Sequence, residues 1–344
     1  MVVRSILPVT VSGFILAACV SVDPAAGVPV LPVPAAGETA PMVGRGDRAD
    51  DPAIWVHATQ AERSRILGTN KEEGLYVYAL DGSELNRLPV GRLNNVDVHG
   101  PLAAGSNDEV EGISWFGIEP ATGAVSHLLN TPVGKAEPYG FCLGRKGPGG
   151  ALLAGVTYKD GTVQLWAPEM GANGLTGASL RRTLKLGSKL EGCVFDAANE
   201  TLFIGEEAVG IWSLNLADDT SSPQAVDTIA AGNGLIEDVE GLAIWEDNAA
   251  PGSGFLVASA QGRDRFVVYD RTAPYTPRGV FTVTGSGEVD AVSHTDGLDI
   301  VSDPLPGFPR GLLVVQDDAN PTSEVDQNFK LVDWSSVEAA LKLD

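Results

Sequence analysis

Positive charge is scarce in this chain. Its 344 residues include 23 Lys and Arg against 45 Asp and Glu, so the net charge is −22 at pH 7. We exclude a nucleic-acid partner, because binding to a phosphate backbone requires a basic surface. An anionic small molecule is not excluded, since bound metal ions can reverse the local field of an acidic protein. The same net charge favours a soluble monomer over self-association.

Cysteine is also scarce. There are three, and Cys19 lies close to the N-terminus, which leaves Cys142 and Cys193 for the rest of the chain. These two can form a disulfide if the chain is exported. They also lie in apolar, strand-like segments, where a free cysteine acts as a small buried hydrophobe. We favour the second interpretation.

Helical periodicity is missing before the last residues. Short apolar runs are separated by turns, and 41 Gly and 22 Pro are spread through the chain. This pattern is typical of an all-β protein. The exception is the C-terminal segment Ser335–Leu341, which predicts a short helix with a Ser cap.

Long hydrophobic runs are absent after the N-terminal segment. Residues 1–18 combine a single charge with an apolar stretch that is too short to span a membrane, so they predict an export signal. The segment ends in Leu16-Ala17-Ala18-Cys19, which resembles the bacterial lipobox. This resemblance implies that Cys19 is lipidated and becomes the mature N-terminus of a periplasmic or outer-membrane lipoprotein. An ordinary signal peptide, cleaved near the same place, is the alternative.

The next segment predicts a tether. Residues 19–44 are rich in Pro, Ala, Gly and Val, a composition that is typical of linkers rather than of a packed core. We therefore expect this segment to lie outside the fold. Residues 45–344 would then form one domain.

Polar clusters recur from Asp47 onward, with a period of roughly 44–56 residues that is typical of propellers. Each cluster precedes a short apolar strand, and a second strand that ends on a polar residue usually follows. Six units of three or four strands predict a six-bladed β-propeller. The clusters are Asp50-Asp51, Asn94-Asn95-Val96-Asp97, Glu137-Pro138-Tyr139-Gly140, Glu191-Gly192, Asp238-Val239-Glu240-Gly241 and Thr295-Asp296-Gly297.

The recurrent carboxylates are expected to meet, because one end of each innermost strand of a propeller lies at the mouth of a central channel. Asp238 and Glu240, which are two residues apart, are predicted to share one strand face. So many carboxylates in one place must either bind cations or hold protons. Oxygen ligands in this number favour Ca²⁺ over zinc. The alternative for the first cluster is a solvated acidic loop with an Asp-Pro turn.

The ordered motifs resemble those of the β-propeller phytases, also called alkaline phytases. They cover residues 47–334, nearly the whole chain after the predicted tether. A single motif of this kind would be weak, but the ordered set is specific. The motifs are Asp50-Asp51-Pro52-Ala53-Ile54-Trp55-Val56-His57, Thr69-Asn70-Lys71, Leu93-Asn94-Asn95-Val96-Asp97, Tyr139-Gly140-Phe141, Glu191-Gly192, Glu206-Glu207, Ile211-Trp212, Asp238-Val239-Glu240-Gly241-Leu242, Ala258-Ser259-Ala260-Gln261-Gly262, Thr295-Asp296-Gly297-Leu298-Asp299, Val315-Gln316-Asp317 and Gln327-Asn328-Phe329-Lys330.

The resemblance implies a Ca²⁺-dependent 3-phytase, which removes phosphate from myo-inositol hexakisphosphate (phytate). Glu207 is expected to face the catalytic calcium ions, and Lys71 to oppose charge that develops on the phosphate. The implied substrate contacts are Lys71, Tyr139 and Lys159. The implied metal ligands are Asp47, Asp50, Asp51, Asn95, Glu191, Glu207, Asp238, Glu240, Gln261 and Asp296.

The chain departs from the family pattern at three positions. Glu72 stands where the family usually has a second Lys, and Asp108 where it has an Arg. His294 replaces a common Asp. The first two changes remove positive charge that would meet substrate phosphates.

Two other functions stay open at this point. One is a lactonase-like hydrolase on a six-bladed, Ca²⁺-dependent propeller, for which a neutral substrate would not need Lys71 and Lys159. The other is a non-enzymatic binding propeller on the cell envelope, stabilised by calcium. A propeller fold alone does not decide between them.

Overall fold

The protein is described here by a computed structural model that covers residues 27–320 and 327–343. The predicted leader, residues 1–18, and Cys19 lie outside the described residues. Within the described ranges the chain forms 25 strands, three short 3-10 helices and one α-helix. The elements are β1 (Val30–Pro34), β2 (Gly37–Glu38), β3 (Ala49–Trp55), β4 (Arg65–Asn70), β5 (Gly74–Tyr78), β6 (Glu84–Pro89), β7 (Leu93–His99), β8 (Leu102–Asn107), β9 (Gly112–Ile118), β10 (Val125–Pro132), β11 (Phe141–Arg145), β12 (Leu152–Thr157), β13 (Thr162–Gly171), β14 (Gly174–Lys185), β15 (Leu190–Asp196), β16 (Thr201–Glu206), β17 (Gly210–Asn215), β18 (Gln224–Thr228), β19 (Val239–Glu246), β20 (Gly254–Ala260), β21 (Arg265–Asp270), β22 (Pro277–Thr284), β23 (Leu298–Val301), β24 (Leu312–Asp317), β25 (Asn328–Asp333), α1 (Trp334–Leu341) and the 3-10 helices Ala61–Arg63, Ile229–Ala231 and Gln261–Arg263.

The strands form six sheets, which confirms the predicted six-bladed β-propeller. Blades one to four are the consecutive antiparallel sets β3–β6, β7–β10, β11–β14 and β15–β18. Blade five contains β19–β22 and blade six contains β23–β25. The first strand of each blade contacts the first strand of the next, from β3 around to β23 and back to β3. These six inner strands therefore surround the central channel.

The hydrophobic core lies between neighbouring blades. Phe203 of blade four packs with Leu256 and Val267 of blade five in one buried cluster. Strands buried on both faces read as continuous apolar runs, and β24 is buried along its whole length. The second strands that the sequence pattern predicts are present, among them β4, β12, β16, β20 and β24. Packing between blades therefore fixes the height of each inner strand relative to its neighbours.

The N-terminal segment closes the ring. Strand β1 runs parallel to β22 at the outer edge of blade five. Strand β2 pairs antiparallel with β25 in blade six. The prediction that residues 19–44 are a tether outside the fold is therefore wrong for residues 30–38. Exposed sheet edges bind another strand through backbone hydrogen bonds, which depend little on side-chain composition.

The two cysteines after the leader form a disulfide. Cys142 of β11 and Cys193 of β15 are bonded, with their Cα atoms 5.5 Å apart. The preferred prediction of two unpaired cysteines is therefore wrong. The reason is that β11 and β15 are neighbouring inner strands, so their residues approach each other across the boundary between blades three and four.

The C-terminal helix is present, but its cap differs from the prediction. Asp333 is the N-cap residue, and its side chain accepts a hydrogen bond from the backbone nitrogen of Ser335. Ser335 itself lies inside the helix, so the predicted Ser cap is wrong. Among the described residues, no helix is both long enough and apolar enough to cross a membrane.

Candidate active-site cleft

Two sets of chain positions meet at one end of the channel. The inner strands begin there, and the second strands of the blades end there, because the two strands are antiparallel. Lys71, Glu207 and Gln261 each follow directly on the last residue of a second strand. This geometry explains why acids from the inner strands and polar residues from the second strands share one cleft.

A register shift marks the polar cluster on four inner strands. In β3 the pairing shifts between Ala49 and Pro52, so Asp50 and Asp51 lie in a bulge. A bulge redirects side chains that simple alternation would place on opposite faces. Equivalent shifts occur at Leu93/Val96, Leu190/Cys193 and Val239/Leu242.

Glycines beside these acids let neighbouring blades approach closely. A Cβ atom on Gly192 would lie 1.9 Å from the carbonyl oxygen of Glu240 in the next blade. A Cβ on Gly140 would lie 2.0 Å from the carbonyl oxygen of Glu191. Only glycine allows such backbone approach, which brings the acids of consecutive blades together.

Three buried glutamates form the centre of the cleft. One carboxylate oxygen from each of Glu191, Glu207 and Glu240 lies within 4.8 Å of the others. Burial, together with the charges of Glu191 and Asp296, raises the pKa of Glu240 to about 12. Burial and the charge of Asp50 raise the pKa of Glu191 well above its usual range. The chain's own cations therefore do not balance these carboxylates.

Several oxygens of this cluster lack a hydrogen-bond partner among the residues described. They are Asp50 Oδ2, Glu191 Oε2 and Glu240 Oε2, all of them buried. Buried polar atoms are almost always paired, so unpaired oxygens that converge indicate a missing partner. Because every potential metal-ligand atom in this set is an oxygen, the set fits a hard cation such as Ca²⁺.

Lys71 forms the cationic edge of the cluster. Its Nζ lies 2.9 Å from Asp47, 3.1 Å from Asp296 and 3.5 Å from Asp50. Burial by itself lowers the pKa of Lys71, but the three carboxylates outweigh this effect and raise it, so the ammonium stays charged. Conversely, burial raises the pKa of Asp50 to about 8 although the charge of Lys71 opposes this.

The ammonium groups of two lysines lie over the ring of Tyr139. The Nζ of Lys159 lies 4.3 Å from the ring centroid, and that of Lys189 lies 5.0 Å from it. Burial and the charge of Glu191 raise the pKa of the Tyr139 hydroxyl, so it stays protonated and can donate a hydrogen bond. The tyrosine is partly buried and lies beside the carboxylates.

Asp47, Asp296 and Gln261 also lie in the cleft. The amide of Gln261 donates to the carboxylate of Asp296, which also accepts from Lys71. The predicted residues that the structure brings together in the cleft are Asp47, Asp50, Glu191, Glu207, Glu240, Gln261, Asp296, Lys71, Tyr139 and Lys159.

Asp51 and Asn95 face the central channel instead. Together with Asp97 and Asp299 they line a cavity of about 50 Å³ there. One oxygen of Asp51 accepts a hydrogen bond of 3.0 Å from the backbone nitrogen of Val96. These two predicted ligands therefore lie below the glutamate cluster, and their role as metal ligands stays a prediction.

Asp238 does not lie on strand β19. It precedes β19 and has a left-handed backbone, with φ of 62°. Alternation along a strand therefore does not relate it to Glu240, and the prediction of a shared strand face is wrong. A Cβ on Gly262 would lie 3.6 Å from its carboxylate, which places Asp238 beside the Gln261 turn.

Lys189 is the cleft residue that sequence reasoning missed. Its Nζ lies 2.7 Å from Glu207 Oε1. Strand alternation gave no signal for it, because Lys189 lies before β15 and the pairing of β15 shifts between Leu190 and Cys193. By contrast, Glu206 points away from the cleft and binds Ser188 and the Trp212 indole at 2.6 and 2.8 Å.

Comparison with known proteins identifies the family of this chain. The family model described as Phytase matches residues 4–344. The 3-phytase of Bacillus subtilis (strain 168) is 36% identical over 319 residues, which is 87% of this chain and 83% of that protein. The six-bladed propeller and its acidic cleft agree with the resemblance found in the sequence motifs. The chain belongs to the phytase family.

Proposed function

We propose that this protein is a calcium-dependent phosphatase that hydrolyses phytate to lower inositol phosphates and phosphate. Membership of the phytase family and the 3-phytase activity named for the Bacillus subtilis relative support the reaction class. The cleft supports the calcium requirement. A neutral lactone would not need the lysines of the cleft, which favours a phosphate ester over the lactonase-like alternative.

One observation carries the proposal: buried carboxylate oxygens converge without partners in a cleft that also presents lysines. The unpaired atoms include Asp50 Oδ2, Glu191 Oε2 and Glu240 Oε2, for which the described residues provide no donor. An anionic cluster of this kind would repel a polyphosphate unless cations were bound in it. Lys71 and Lys159 present positive charge to the substrate side.

The residues that would hold calcium are Asp47, Asp50, Glu191, Glu207, Asp238, Glu240, Gln261 and Asp296 in the cleft, and Asp51 and Asn95 in the channel. Calcium held there would neutralise phosphate oxygens and make a water more acidic for in-line attack on phosphorus. The chain's own residues orient the substrate. Lys71 is fixed by three carboxylates and opposes negative charge that develops on the transferred phosphate. Tyr139 and Lys159 would bind a further phosphate.

Phosphate release from phytate tests the proposal. Release should require added Ca²⁺ and stop with excess EDTA, at neutral to mildly alkaline pH. Release that continues in EDTA contradicts the calcium requirement. No release from a protein whose melting temperature calcium still raises contradicts the substrate assignment, and other phosphoesters and then lactones would be assayed.

Glu207→Gln tests the cleft assignment. The variant removes one carboxylate charge from the glutamate cluster, and we expect phytate hydrolysis to fall by about 100-fold or more, as for loss of a group that stabilises a transition state. Glu206→Gln is the matched control, because it changes the adjacent glutamate, which is equally buried and faces away from the cleft. Near wild-type activity of Glu207→Gln at saturating calcium would show that the cleft is assigned wrongly.

We also propose that the N-terminal segment anchors the protein as an exported lipoprotein through Cys19. The motif that ends in Cys19 supports this proposal. In a bacterial host, Cys19→Ser should move the protein from the membrane fraction to the soluble periplasmic fraction. Equal membrane association of the variant and the wild type would contradict the anchor.

A further inference from the structure

Lys189 is held at the centre of the cleft rather than on a solvated edge. It lies directly before β15, and the backbone nitrogen of Glu207 donates to its carbonyl oxygen at 3.1 Å. Its ammonium is 2.7 Å from Glu207 Oε1, and 40% of its side chain is exposed. The backbone of Lys189 is therefore held in place, while its ammonium remains accessible to a molecule that enters the cleft.

Two positively charged residues converge on one aromatic ring. Lys159 and Lys189 lie 4.3 and 5.0 Å from the centroid of Tyr139. Like charges brought together in a partly buried site repel each other unless an anion joins them. Glu207 balances Lys189, whereas no acidic group lies within ion-pair distance of Lys159 among the residues described. An anionic group between the two lysines would remove this repulsion.

The charges at the neighbouring positions strengthen this argument. Glu72 and Asp108 stand where the family pattern, as given by the motifs, carries positive residues. Glu72 pairs with Arg48 at 3.5 Å, so it also neutralises a nearby cation. Burial raises the pKa of Asp108, although a hydrogen bond with Asn94 and the charges of Arg92 and Lys159 act to lower it. Lys189 restores positive charge on the Tyr139 side of the cleft.

We propose that Lys189 is a substrate-binding residue, whose ammonium holds a phosphate group of the inositol polyphosphate together with Lys159 and Tyr139. The inference rests on the proposed function, and it adds a binding residue that the family motifs do not include. It also gives a physical reason why acids at positions 72 and 108 are compatible with a polyphosphate substrate. Binding would transfer the ammonium of Lys189 from Glu207 to a phosphate oxygen.

The alternative is that Lys189 only balances the charge of Glu207. Lys189→Gln separates the two roles when it is assayed at saturating calcium. For a substrate-binding residue, KM for phytate should rise about tenfold, which corresponds to about 1.4 kcal/mol of lost binding free energy. The kcat should stay within about twofold of wild type because the interaction is uniform in the ground and transition states. Lys189→Arg should recover most of the lost affinity.

Calorimetry gives a readout that is independent of turnover. The probe is myo-inositol hexasulfate, which presents six anionic groups on the same ring and is not a phosphate ester. Its affinity at saturating calcium should fall for Lys189→Gln by about the same factor as KM rises. Lys146→Gln is the matched control, because Lys146 pairs with Asp219 at 2.7 Å with 35% of its side chain exposed, close to the values for Lys189.

The possible outcomes are distinct. Weaker hexasulfate binding and a higher KM for Lys189→Gln, with Lys146→Gln unchanged, support the inference. Unchanged KM and unchanged hexasulfate affinity, with only the calcium concentration for half-activation altered, overturn it and leave a counter-ion role. Wild-type protein that neither binds hexasulfate nor hydrolyses phytate contradicts the proposed function as well as the inference.

Discussion

Strand β15 carries a buried carboxylate at each end, and the two carboxylates differ in their hydrogen-bond partners. At the far end, Asp196 is fully buried and accepts two hydrogen bonds from Arg271, at 2.6 and 2.8 Å. Asn199 donates two more. At the cleft end, Glu191 Oε2 has no partner among the residues described. Asp196 is thus neutralised within the chain, while Glu191 is left for a partner from outside.

The difference shows how a structural charge can be told from a functional one. A buried ion pair whose oxygens all accept hydrogen bonds needs no external ligand. Removing one partner leaves the other charge buried without a counter-ion. A cluster of carboxylates without partners destabilises the fold until a ligand arrives, and such frustration is typical of functional sites. Removal of a charged side chain should therefore destabilise the protein beside Asp196 and stabilise the calcium-free protein in the cleft.

Arg271→Met should produce the largest effect on stability. It leaves the carboxylate of Asp196 buried without its counter-ion, although the hydrogen bonds from Asn199 remain, and this costs about 3–5 kcal/mol. Chemical denaturation with and without calcium measures it, and the loss should be the same in both conditions. Arg278→Met is the control, since Arg278 forms a partly exposed pair with Asp270 at 3.1 Å and should contribute less than about 1 kcal/mol. A loss for Arg271→Met as small as that of the control would contradict the comparison.

Removal of the disulfide should rank second. The double variant Cys142→Ala, Cys193→Ala opens a cross-link with a sequence separation of 51 residues. A cross-link of this size typically stabilises a fold by about 2–4 kcal/mol. The melting temperature should fall in calcium and in EDTA alike, because the link joins inner strands and holds no cation. A loss confined to EDTA would instead tie the disulfide to the metal cluster.

Loss of calcium from a single site should come next. Calcium at about 100 times its dissociation constant stabilises the native state by about 2.7 kcal/mol per site, provided that it does not bind the unfolded chain. Scanning calorimetry with added Ca²⁺ and with EDTA measures the shift. The shift should persist in Arg271→Met, which changes only the far end of β15. Identical melting curves in Ca²⁺ and EDTA would remove the calcium proposal.

Glu240→Gln should have the smallest effect and the opposite sign. Because the pKa of Glu240 is raised to about 12, this group must hold a proton in the calcium-free protein at neutral pH, and a glutamine avoids that cost. The substitution should therefore stabilise the calcium-free protein by about 1 kcal/mol. The same change removes a ligand, so the gain in melting temperature on adding calcium should shrink. Denaturation of the variant in EDTA tests the sign. Destabilisation in EDTA, of the kind expected for Arg271→Met, would mean that Glu240 is a structural residue.

Much of the architecture is predictable because a propeller repeats. Each blade repeats a polar cluster, an inner strand and a second strand. Asp50, Glu191 and Glu240 occupy similar positions in their units, which implies that they lie close together. The convergence of these residues then follows from the ring without any knowledge of side-chain contacts. Their metal ligation is a separate statement and stays a prediction.

The errors on the disulfide, on strands β1 and β2 and on Lys189 share a cause, which is that contacts between units leave little trace in a single sequence. The Cys142–Cys193 bond depends on the relative height of two blades. Strands β1 and β2 are recognised by the sheet edges they join, rather than by an apolar pattern of their own. Lys189 escaped notice because it lies before the strand and acquires its partners, Glu207 and Tyr139, from other elements.

The closure of the ring also has a consequence for how the chain assembles. Strands β1 and β2 are made first, yet their partners lie in the last two blades. Asn328, for example, donates to Glu38 across 290 positions of sequence. Contacts this distant in sequence are slow to form, since most of the chain must be ordered before they can stabilise it. During synthesis β1 and β2 must therefore remain unpaired until blades five and six exist. Removal of β2 or of β25 would open the ring at the same seam.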